Sequence, residues 1–220
     1  FDLPLGSFPN QNYTLFAVVK PYTSDGPRTI ISRAYVSADF LMRFNNQDFE
    51  SYVNTNSQSI ENVYSTEQNT FLVFSNYNNT TRNLQVNQSM ASEISQSGLI
   101  NYNTINRPAL GSLKRSNGAT AHHFNGQIIE IILYAKSLSQ NETINVSDYF
   151  YQKYAPPVNF SSDINISYGF CDTTLSSPNY YTSYLWSNGS TDSTTIINEP
   201  GEYWLEGVDI FGRITRDTIE

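Results

Sequence analysis

The chain of 220 residues has a formal net charge of −8, and only 15% of its residues are charged, against the roughly one quarter that is usual in a soluble domain. It contains no basic stripe, which argues against nucleic acid as a partner, and no apolar run of the ~18 residues that a membrane-spanning helix needs. Residues 1–155 hold eleven acidic and ten basic residues, whereas residues 156–220 hold nine acidic and two basic residues, so the composition predicts two different modules.

Short apolar segments separated by turn residues follow one another through the first 155 residues. Residues 1–9 predict an edge strand that prolines interrupt, and further strands are predicted at 12–21, 28–32, 40–44, 49–53, 71–75 and 84–87. Turn signals such as Asn117-Gly118 and Asn125-Gly126 separate these segments. Because strands do not alternate with helices, we expect an antiparallel sandwich.

The segment 126–134 is the most strongly strand-forming run of the chain. Apolar residues occupy both of its faces, which predicts a strand in the middle of the sandwich. Glu130 interrupts the run and is expected to face water, a partner or a metal. A helix is predicted over about 139–153, with Ser139 as its N-cap.

A module boundary is predicted at 155–158, because the double proline Pro156-Pro157 cannot continue a helix. Further strands are predicted at 164–168, 184–187, 193–197, 202–208 and 213–219, which make a small β-sandwich. Cys171 is the only cysteine, so an internal disulfide is excluded. We expect it to be a small buried hydrophobic residue, the alternative being pairing with a second chain.

Two sets of motifs resemble known families. The segments 13–20, 107–111 and 124–134, with the helix start Leu138-Ser139, resemble the laminin-G-like, concanavalin-A-like jelly roll of bacterial surface proteins over about residues 1–155. The segments 184–189 and 200–204 resemble the immunoglobulin-like repeats of secreted and gliding-associated Bacteroidetes proteins, although the second cysteine that those repeats often carry is absent near 211–213.

These resemblances imply an all-β chain in a secreted or cell-surface protein. Its fold would be an antiparallel jelly-roll sandwich with one short late helix over 1–155, followed by a small immunoglobulin-like β-sandwich over 156–220. The first module would bind a ligand and the second would act as a spacer.

The pattern of carboxylates argues against an enzyme. Glycoside hydrolases with this jelly roll use a Glu-x-Asp-x-x-Glu strand, which places two carboxylates on one face for acid and base catalysis. That triplet does not occur, and Glu130 stands alone among aliphatic residues. His122 and His123 have no neighbouring nucleophile motif. We therefore expect no catalysis.

Binding of a sugar is predicted instead, because sugar sites combine an aromatic ring with the polar groups of Asn, Asp and Arg. Specificity is expected in the loops 45–52, 76–83 and 115–123. The candidate ligand-binding residues are Arg43, Asn45, Tyr52, Tyr77, Asn78, Arg82, Asn117 and His123.

Calcium is the one cofactor that the jelly-roll resemblance implies, held by loop carboxylates and carbonyls. Asp25, Asp39, Asp48 and Glu130 are its candidate ligands, and the alternative is that they are solvated loop acids. His122 and His123 are expected to alternate across a strand, so both cannot bind one metal.

The function that these observations favour is a non-catalytic extracellular adhesin or binding module that recognises a glycan or a surface protein. One alternative is a structural subunit or repeat of an extracellular appendage or filament, which self-associates or packs on neighbouring domains. Another is the accessory binding module of a secreted hydrolase.

Overall fold

The computed structural model describes residues 2–220 except 5, 7, 10, 24, 35–37, 47, 56–58, 65–69, 90, 104, 116, 166–168, 170 and 179, and it describes only the backbone of 38 and 59–64. The fold is all-β with antiparallel sheets and one short helix, which confirms the predicted fold class. The chain divides into two compact units, Phe1–Val146 and Ser147–Glu220. The division into modules 1–155 and 156–220 stays a prediction.

The first unit is built from twelve described strands. They are β1 (Tyr13–Pro21), β2 (Pro27–Ala34), β3 (Ala38–Asn45), β4 (Asp48–Val53), β5 (Ser59–Tyr64), β6 (Phe71–Tyr77), β7 (Thr81–Val86), β8 (Ser92–Ser95), β9 (Arg107–Leu110), β10 (Leu113–Lys114), β11 (Thr120–Ala121) and β12 (Gly126–Tyr134).

Two five-stranded antiparallel sheets enclose the core of this unit. Sheet I has the order β12-β1-β6-β7-β8, and sheet II has the order β5-β4-β3-β2-β9. Side chains alternate along each strand, so Leu15 and Val19 of β1 meet Phe40 and Met42 of β3 in one buried cluster. The alternate side chains of sheet II therefore point away from this core.

Strand β12 lies at an edge of sheet I, where it pairs with β1. The prediction of a strand in the middle of the sandwich is therefore wrong. Ile128 and Ile131 pack partly against the core, but Ile129 is exposed. The glycine of the turn signal Asn125-Gly126 has a steric reason, since a Cβ on Gly126 would lie 2.3 Å from the carbonyl oxygen of Lys20.

Three further predictions are wrong. The expected edge strand over 1–9 is reduced, within its described residues, to a single bridge between Asp2 and Ala109. His122 and His123 do not alternate across a strand, because both lie between β11 and β12. Cys171 is exposed rather than buried. The strand predicted at 164–168 falls partly on residues outside the described chain.

The helix α1 (Gln140–Tyr154) begins as predicted. The Ser139 amide donates to Glu142 Oε2 at 2.9 Å, and the Glu142 amide donates to Ser139 Oγ at 3.4 Å, which is a capping box. Ser139 is therefore confirmed as the N-cap. Within the described chain, no helix combines the length and the apolar character that crossing a membrane would require.

The second unit contains the strands β13 (Thr173–Ser176), β14 (Ser183–Trp186), β15 (Thr194–Ile197), β16 (Tyr203–Val208) and β17 (Ile214–Ile219). They form one sheet of order β13-β15 and one of order β14-β16-β17. Leu175 and Ile197 from the first sheet cluster with Trp186, Leu205 and Ile219 from the second, so the two sheets share a core.

Candidate functional site

The outward side of sheet II carries a row of polar side chains. In β3, Phe40, Met42 and Phe44 face the core, so Arg43 and Asn45 face outward. The register pairs Arg43 with Glu50 and Leu41 with Tyr52 across the β3–β4 hairpin. Successive pairs on one face stand about 7 Å apart along the strands, so the guanidinium and the tyrosine ring lie on the same surface.

Glu50 fixes the orientation of Arg43. Arg43 Nε donates to Glu50 Oε2 at 2.5 Å, and Asn45 Nδ2 donates to Glu50 Oε1 at 2.9 Å. Both carboxylate oxygens are thus occupied, and the carboxylate is 9% exposed against 18% for the arginine side chain. The two terminal nitrogens of Arg43 make no hydrogen bond to the described residues, which leaves a positioned pair of donors.

His122 lies at the end of this polar row. Its carbonyl accepts a hydrogen bond of 2.8 Å from the amide of Thr29, the residue paired with Arg43 in β2. His122 has φ 51, in the left-handed region, which turns its ring away from a strand path. His122 Nδ1 and Thr29 Oγ1 are both buried without a hydrogen-bond partner among the described residues.

Positive charges act on the His122 ring. Burial, and then the charges of Arg43, Arg115 and Arg28, lower the pKa of His122 below its ordinary value. These arginines come from β3, from the β10–β11 hairpin and from β2. Charges from three separate segments thus act on an imidazole whose Nδ1 has no hydrogen-bond partner among the described residues. We call Arg28, Arg43, Arg115, His122 and Thr29 the arginine site.

The β10–β11 hairpin is held against β2 by hydrogen bonds. The Gly111 amide donates to the Ile30 carbonyl at 2.8 Å, and Ser32 Oγ donates to the Ser112 carbonyl at 2.8 Å. The hairpin itself closes as its turn signal predicts, with Arg115 and Ala119 paired by a backbone bond of 2.8 Å. These bonds fix the hairpin that contains Arg115 next to β2.

Three of the predicted ligand-binding residues share this face. Arg43, Asn45 and Tyr52 come together because the β3–β4 hairpin presents residues 43 and 45 on one strand and residue 52 on the next. Burial, together with the nearby carboxylate of Asp39, raises the pKa of Tyr52. Its hydroxyl therefore stays protonated and remains a hydrogen-bond donor at neutral pH.

The other predicted ligand-binding residues lie elsewhere. Tyr77 and Arg82 are fully buried, so neither side chain lies on the surface that Arg43, Asn45 and Tyr52 share, and their contact with a ligand stays a prediction. Asn78 caps the β6–β7 turn, where its side-chain oxygen accepts hydrogen bonds from two backbone amides. Asn117 Oδ1 accepts a hydrogen bond from the Ala119 amide within the β10–β11 turn. His123 Nε2 lies 3.1 Å from Thr120 Oγ1.

The predicted calcium ligands are not assembled. Asp25 is exposed in a turn, and Glu130 lies on the edge strand β12. Asp39 is 1% exposed, accepts a hydrogen bond from the Asn103 amide and lies 3.9 Å from Arg33. Among the described residues, no group of three or more His, Cys, Asp or Glu side chains is placed to hold a metal ion. Calcium binding stays a prediction.

The sequence analysis did not name Glu50, Thr29, His122, Arg28 or Arg115 as ligand-binding residues, although the predicted loops 45–52 and 115–123 contain Glu50, Arg115 and His122. The position of Glu50 could have been predicted from the hairpin register, because the pairing of Asn45 with Asp48 places residue 50 opposite residue 43. The other four belong to segments distant in sequence, which only the packing of the hairpin against β2 brings together. No short sequence pattern predicts the packing of the β10–β11 hairpin against β2.

No protein-family model matches the chain, and no curated protein matches it. Solved structures do resemble it. The CBM40 domain of the Ruminococcus gnavus IT-sialidase is 16% identical, with a TM-score of 0.55 over 63% of this chain and 84% of that domain. The same domain bound to α2,3-sialyllactose has a TM-score of 0.51 at 16% identity, over 63% and 83%.

A longer match extends through most of the chain. The leech intramolecular trans-sialidase, complexed with 2,7-anhydro-Neu5Ac, is 15% identical with a TM-score of 0.58 over 95% of this chain. The match covers only 32% of that sialidase, so this chain spans about a third of its length. At these identities the likeness establishes the fold, an antiparallel β-sandwich that also occurs in carbohydrate-binding domains of sialidases.

Proposed function

We propose that this chain is a non-catalytic carbohydrate-binding module that recognises an acidic, sialylated glycan at the arginine site. The observation that carries the proposal is the pair of terminal Arg43 nitrogens that Glu50 fixes in place on the outward side of sheet II. A positioned guanidinium fork matches the geometry of a carboxylate and binds it through two parallel hydrogen bonds.

The surroundings of Arg43 suit a sugar acid. Thr29 Oγ1 and His122 Nδ1 are buried polar atoms without partners among the described residues, and Thr29 lies opposite Arg43 in the sheet. Tyr52, on the same face, supplies an aromatic surface and a hydroxyl donor. Glu50 is engaged by Arg43 and Asn45 through both oxygens, so its role is to orient Arg43 rather than to transfer a proton.

The solved relatives support the same ligand class. The R. gnavus CBM40 domain was determined bound to α2,3-sialyllactose and to α2,6-sialyllactose. Sialyllactose carries a carboxylate, which is the group that the arginine site is suited to bind. The chemistry of the site and the ligand of a protein with the same fold thus lead to one class of glycan.

The proposal includes the finer predictions made from the sequence. The first unit acts as a laminin-G-like binding domain, the second acts as an immunoglobulin-like spacer, and the protein works at the cell surface or after secretion. Calcium is proposed to bind away from the arginine site, whose residues are cationic or neutral.

Titration calorimetry with sialyllactose and lactose tests the ligand class. We expect sialyllactose to bind at least about tenfold more tightly than lactose, because charge-assisted hydrogen bonds contribute about 1.5–3 kcal/mol. The measurement is repeated with calcium and with a chelator, which also tests the calcium prediction. Equal affinity for the two sugars, or no binding of either, would contradict the proposal.

A second test follows the protonation of His122. The folded protein lowers the pKa of His122, so protonating this ring opposes folding. The stability that the neutral ring contributes is fully present above the ordinary pKa of about 6.5 and is lost as the pH falls below that value. A bound carboxylate offsets the arginine charges, so sialyllactose is expected to raise the pKa of His122. By linkage, affinity should increase as the pH falls from 7 towards 5, where the sugar acid stays ionised.

NMR titration of the imidazole protons measures this effect. The chain has two histidines, so the variant His123→Gln leaves one signal, that of His122. Lactose, which has no carboxylate, is the control and should leave the titration of His122 unchanged. A His122 pKa that does not respond to sialyllactose would place the carboxylate elsewhere and contradict the proposed site.

A further inference from the structure

The sheet β14-β16-β17 has an outer face that points away from the core of the second unit. Leu205 of β16 and Ile219 of β17 are buried in that core. Because side chains alternate along a strand, the residues between them point to the opposite side of the sheet. On β16 and β17 these outward residues are Trp204, Glu206, Val208, Ile214, Arg216 and Thr218, all of which the structure describes.

Apolar side chains on this outer face are exposed to solvent. Ile214 is 64% exposed, and Leu185 of the neighbouring strand β14 is 40% exposed. Val208 lies between them, directly across from Ile214 and diagonally from Leu185, and is half-buried. Exposed apolar residues that lie together on one face indicate an interaction surface, whereas single ones are ordinary.

Two opposite charges lie side by side in the middle of the outer face. Glu206 on β16 is paired with Arg216 on β17. Neither side chain makes a hydrogen bond or an ion pair with a described residue, and the Arg216 guanidinium lies 3.9 Å over the ring of Trp204. Stacking on an aromatic ring orients the plane of a guanidinium and leaves its N–H donors for another group.

The register of β16 and β17 makes the outer face complementary to a copy of itself. The cross-strand pairs are Trp204 with Thr218, Glu206 with Arg216 and Val208 with Ile214. A two-fold axis that runs parallel to the strands, midway between β16 and β17, places β16 of one copy over β17 of the other. Each residue then lies over its own cross-strand partner in the second copy. Acid meets base twice, Val208 meets Ile214 twice, and no like charges are opposed.

We propose that the outer face is a docking site for a second copy of this chain, which packs on it as a two-fold symmetric pair through β16 and β17. The charge arrangement selects this occupant. Glu206 repels an acidic partner and Arg216 repels a basic one, whereas the second copy offers each of them an opposite charge. This inference does not depend on the glycan proposal.

The size of the contact sets its strength. The overlap of two strands over three residue pairs measures roughly 10 Å by 20 Å, which is smaller than a standard protein interface. The pair is therefore weak, with an expected dissociation constant of about 0.1 mM. An association of this strength forms where many copies are held close together.

Static light scattering of the full chain tests the proposal. Over protein concentrations from about 0.01 to 1 mM, we expect the weight-average mass to rise from that of the monomer towards that of the dimer. A chain that stays monomeric throughout this range would overturn the proposal.

A matched pair of variants locates the contact. Ile214 and Ile196 are both 64% exposed, but Ile196 lies on β15 of the other sheet. Ile214→Asp should weaken association at least about tenfold, because it places an unpaired charge over Val208 of the second copy. Ile196→Asp should leave association unchanged, and circular dichroism confirms that both variants are folded. Equal effects of the two substitutions would overturn the assignment to the outer face.

An exchange of charges tests the reciprocal pairing. Arg216→Glu alone and Glu206→Arg alone each oppose like charges in the pair, so each should weaken association at least about tenfold. In an equimolar mixture of the two variants every acid again meets a base across the interface, and most of the association should return. A mixture that associates no better than either variant alone would overturn the proposal.

The glycan proposal is tested separately on the same proteins. Sialyllactose binding is measured at about 0.01 mM protein, where the chain is expected to be monomeric. It should be unchanged in all four variants, since their substitutions lie in the second unit. Failure of the association experiment and failure of the glycan experiment are therefore distinguishable.

Discussion

Replacing Arg43 with alanine is expected to weaken sialyllactose binding by about 30- to 100-fold. The guanidinium supplies two charge-assisted hydrogen bonds to the sugar carboxylate, and losing about 2–3 kcal/mol of such interaction corresponds to that change in affinity. Lactose binding should change much less, because lactose has no carboxylate. Titration calorimetry of both sugars against wild type and variant measures the difference.

Arg43→Lys separates charge from geometry. Lysine keeps the positive charge but has no rigid fork and no Nε–H to pair with Glu50, so it should recover only part of the affinity. Arg107→Ala is the matched control, since Arg107 is an exposed arginine on β9 of the same sheet. Circular dichroism confirms folding. A folded Arg43→Ala variant with wild-type affinity for sialyllactose would refute the assignment of this residue.

Local patterns were sufficient for the two strands that carry Arg43 and Tyr52. The apolar residues of 40–44 and 49–53 predict two strands, which the structure contains as β3 and β4. Once the register is known, Arg43 and Tyr52 must lie on the face opposite to Phe40 and Met42. The capping box at Ser139 is equally local and was read correctly.

Burial and sheet position were harder to predict. The aliphatic run 126–134 indicated a central strand, but β12 is an edge strand whose Ile129 remains exposed. Arg82 is of a residue type that often binds ligands, but its side chain on β7 is fully buried. Strand order and the inward or outward setting of a polar residue depend on contacts between distant segments, which no single window of sequence contains.

The arginine site illustrates the same limit. Arg28, Arg43 and Arg115 are separated by up to 87 positions in the sequence, and their proximity to His122 arises when the β10–β11 hairpin docks on β2. Each arginine alone resembles a solvated surface residue. Their combined effect on the His122 imidazole is a property of the tertiary structure.

Replacing Asp209 with alanine is expected to destabilise the second unit by about 3–5 kcal/mol, a large part of the stability of a typical domain. Asp209 is 1% exposed. Its Oδ1 accepts hydrogen bonds from the Phe211 and Arg213 amides at 2.8 and 3.0 Å, and its Oδ2 accepts from Arg213 Nε at 2.7 Å. The alanine variant would leave two amides without their acceptor and a largely buried guanidinium without its counter-ion.

That guanidinium also holds the end of the helix. Arg213 Nη2 donates to the Ala155 carbonyl at 2.6 Å, and the guanidinium lies 3.9 Å over the Tyr151 ring. Tyr151 in turn packs edge-on against Phe211 at 5.4 Å. Loss of Asp209 should therefore loosen the last turn of α1 together with the β16–β17 connection, rather than one bond alone.

Urea unfolding followed by tryptophan fluorescence measures this effect selectively, because the two tryptophans of the chain, Trp186 and Trp204, both lie in the second unit. Asp209→Asn keeps the Oδ1 acceptor and should cost less than the alanine variant. Adding Arg213→Met to Asp209→Ala removes the unpaired charge and should restore part of the stability. A loss below about 1 kcal/mol for Asp209→Ala, or no recovery in the double variant, would show that the buried ion pair is not what stabilises this connection.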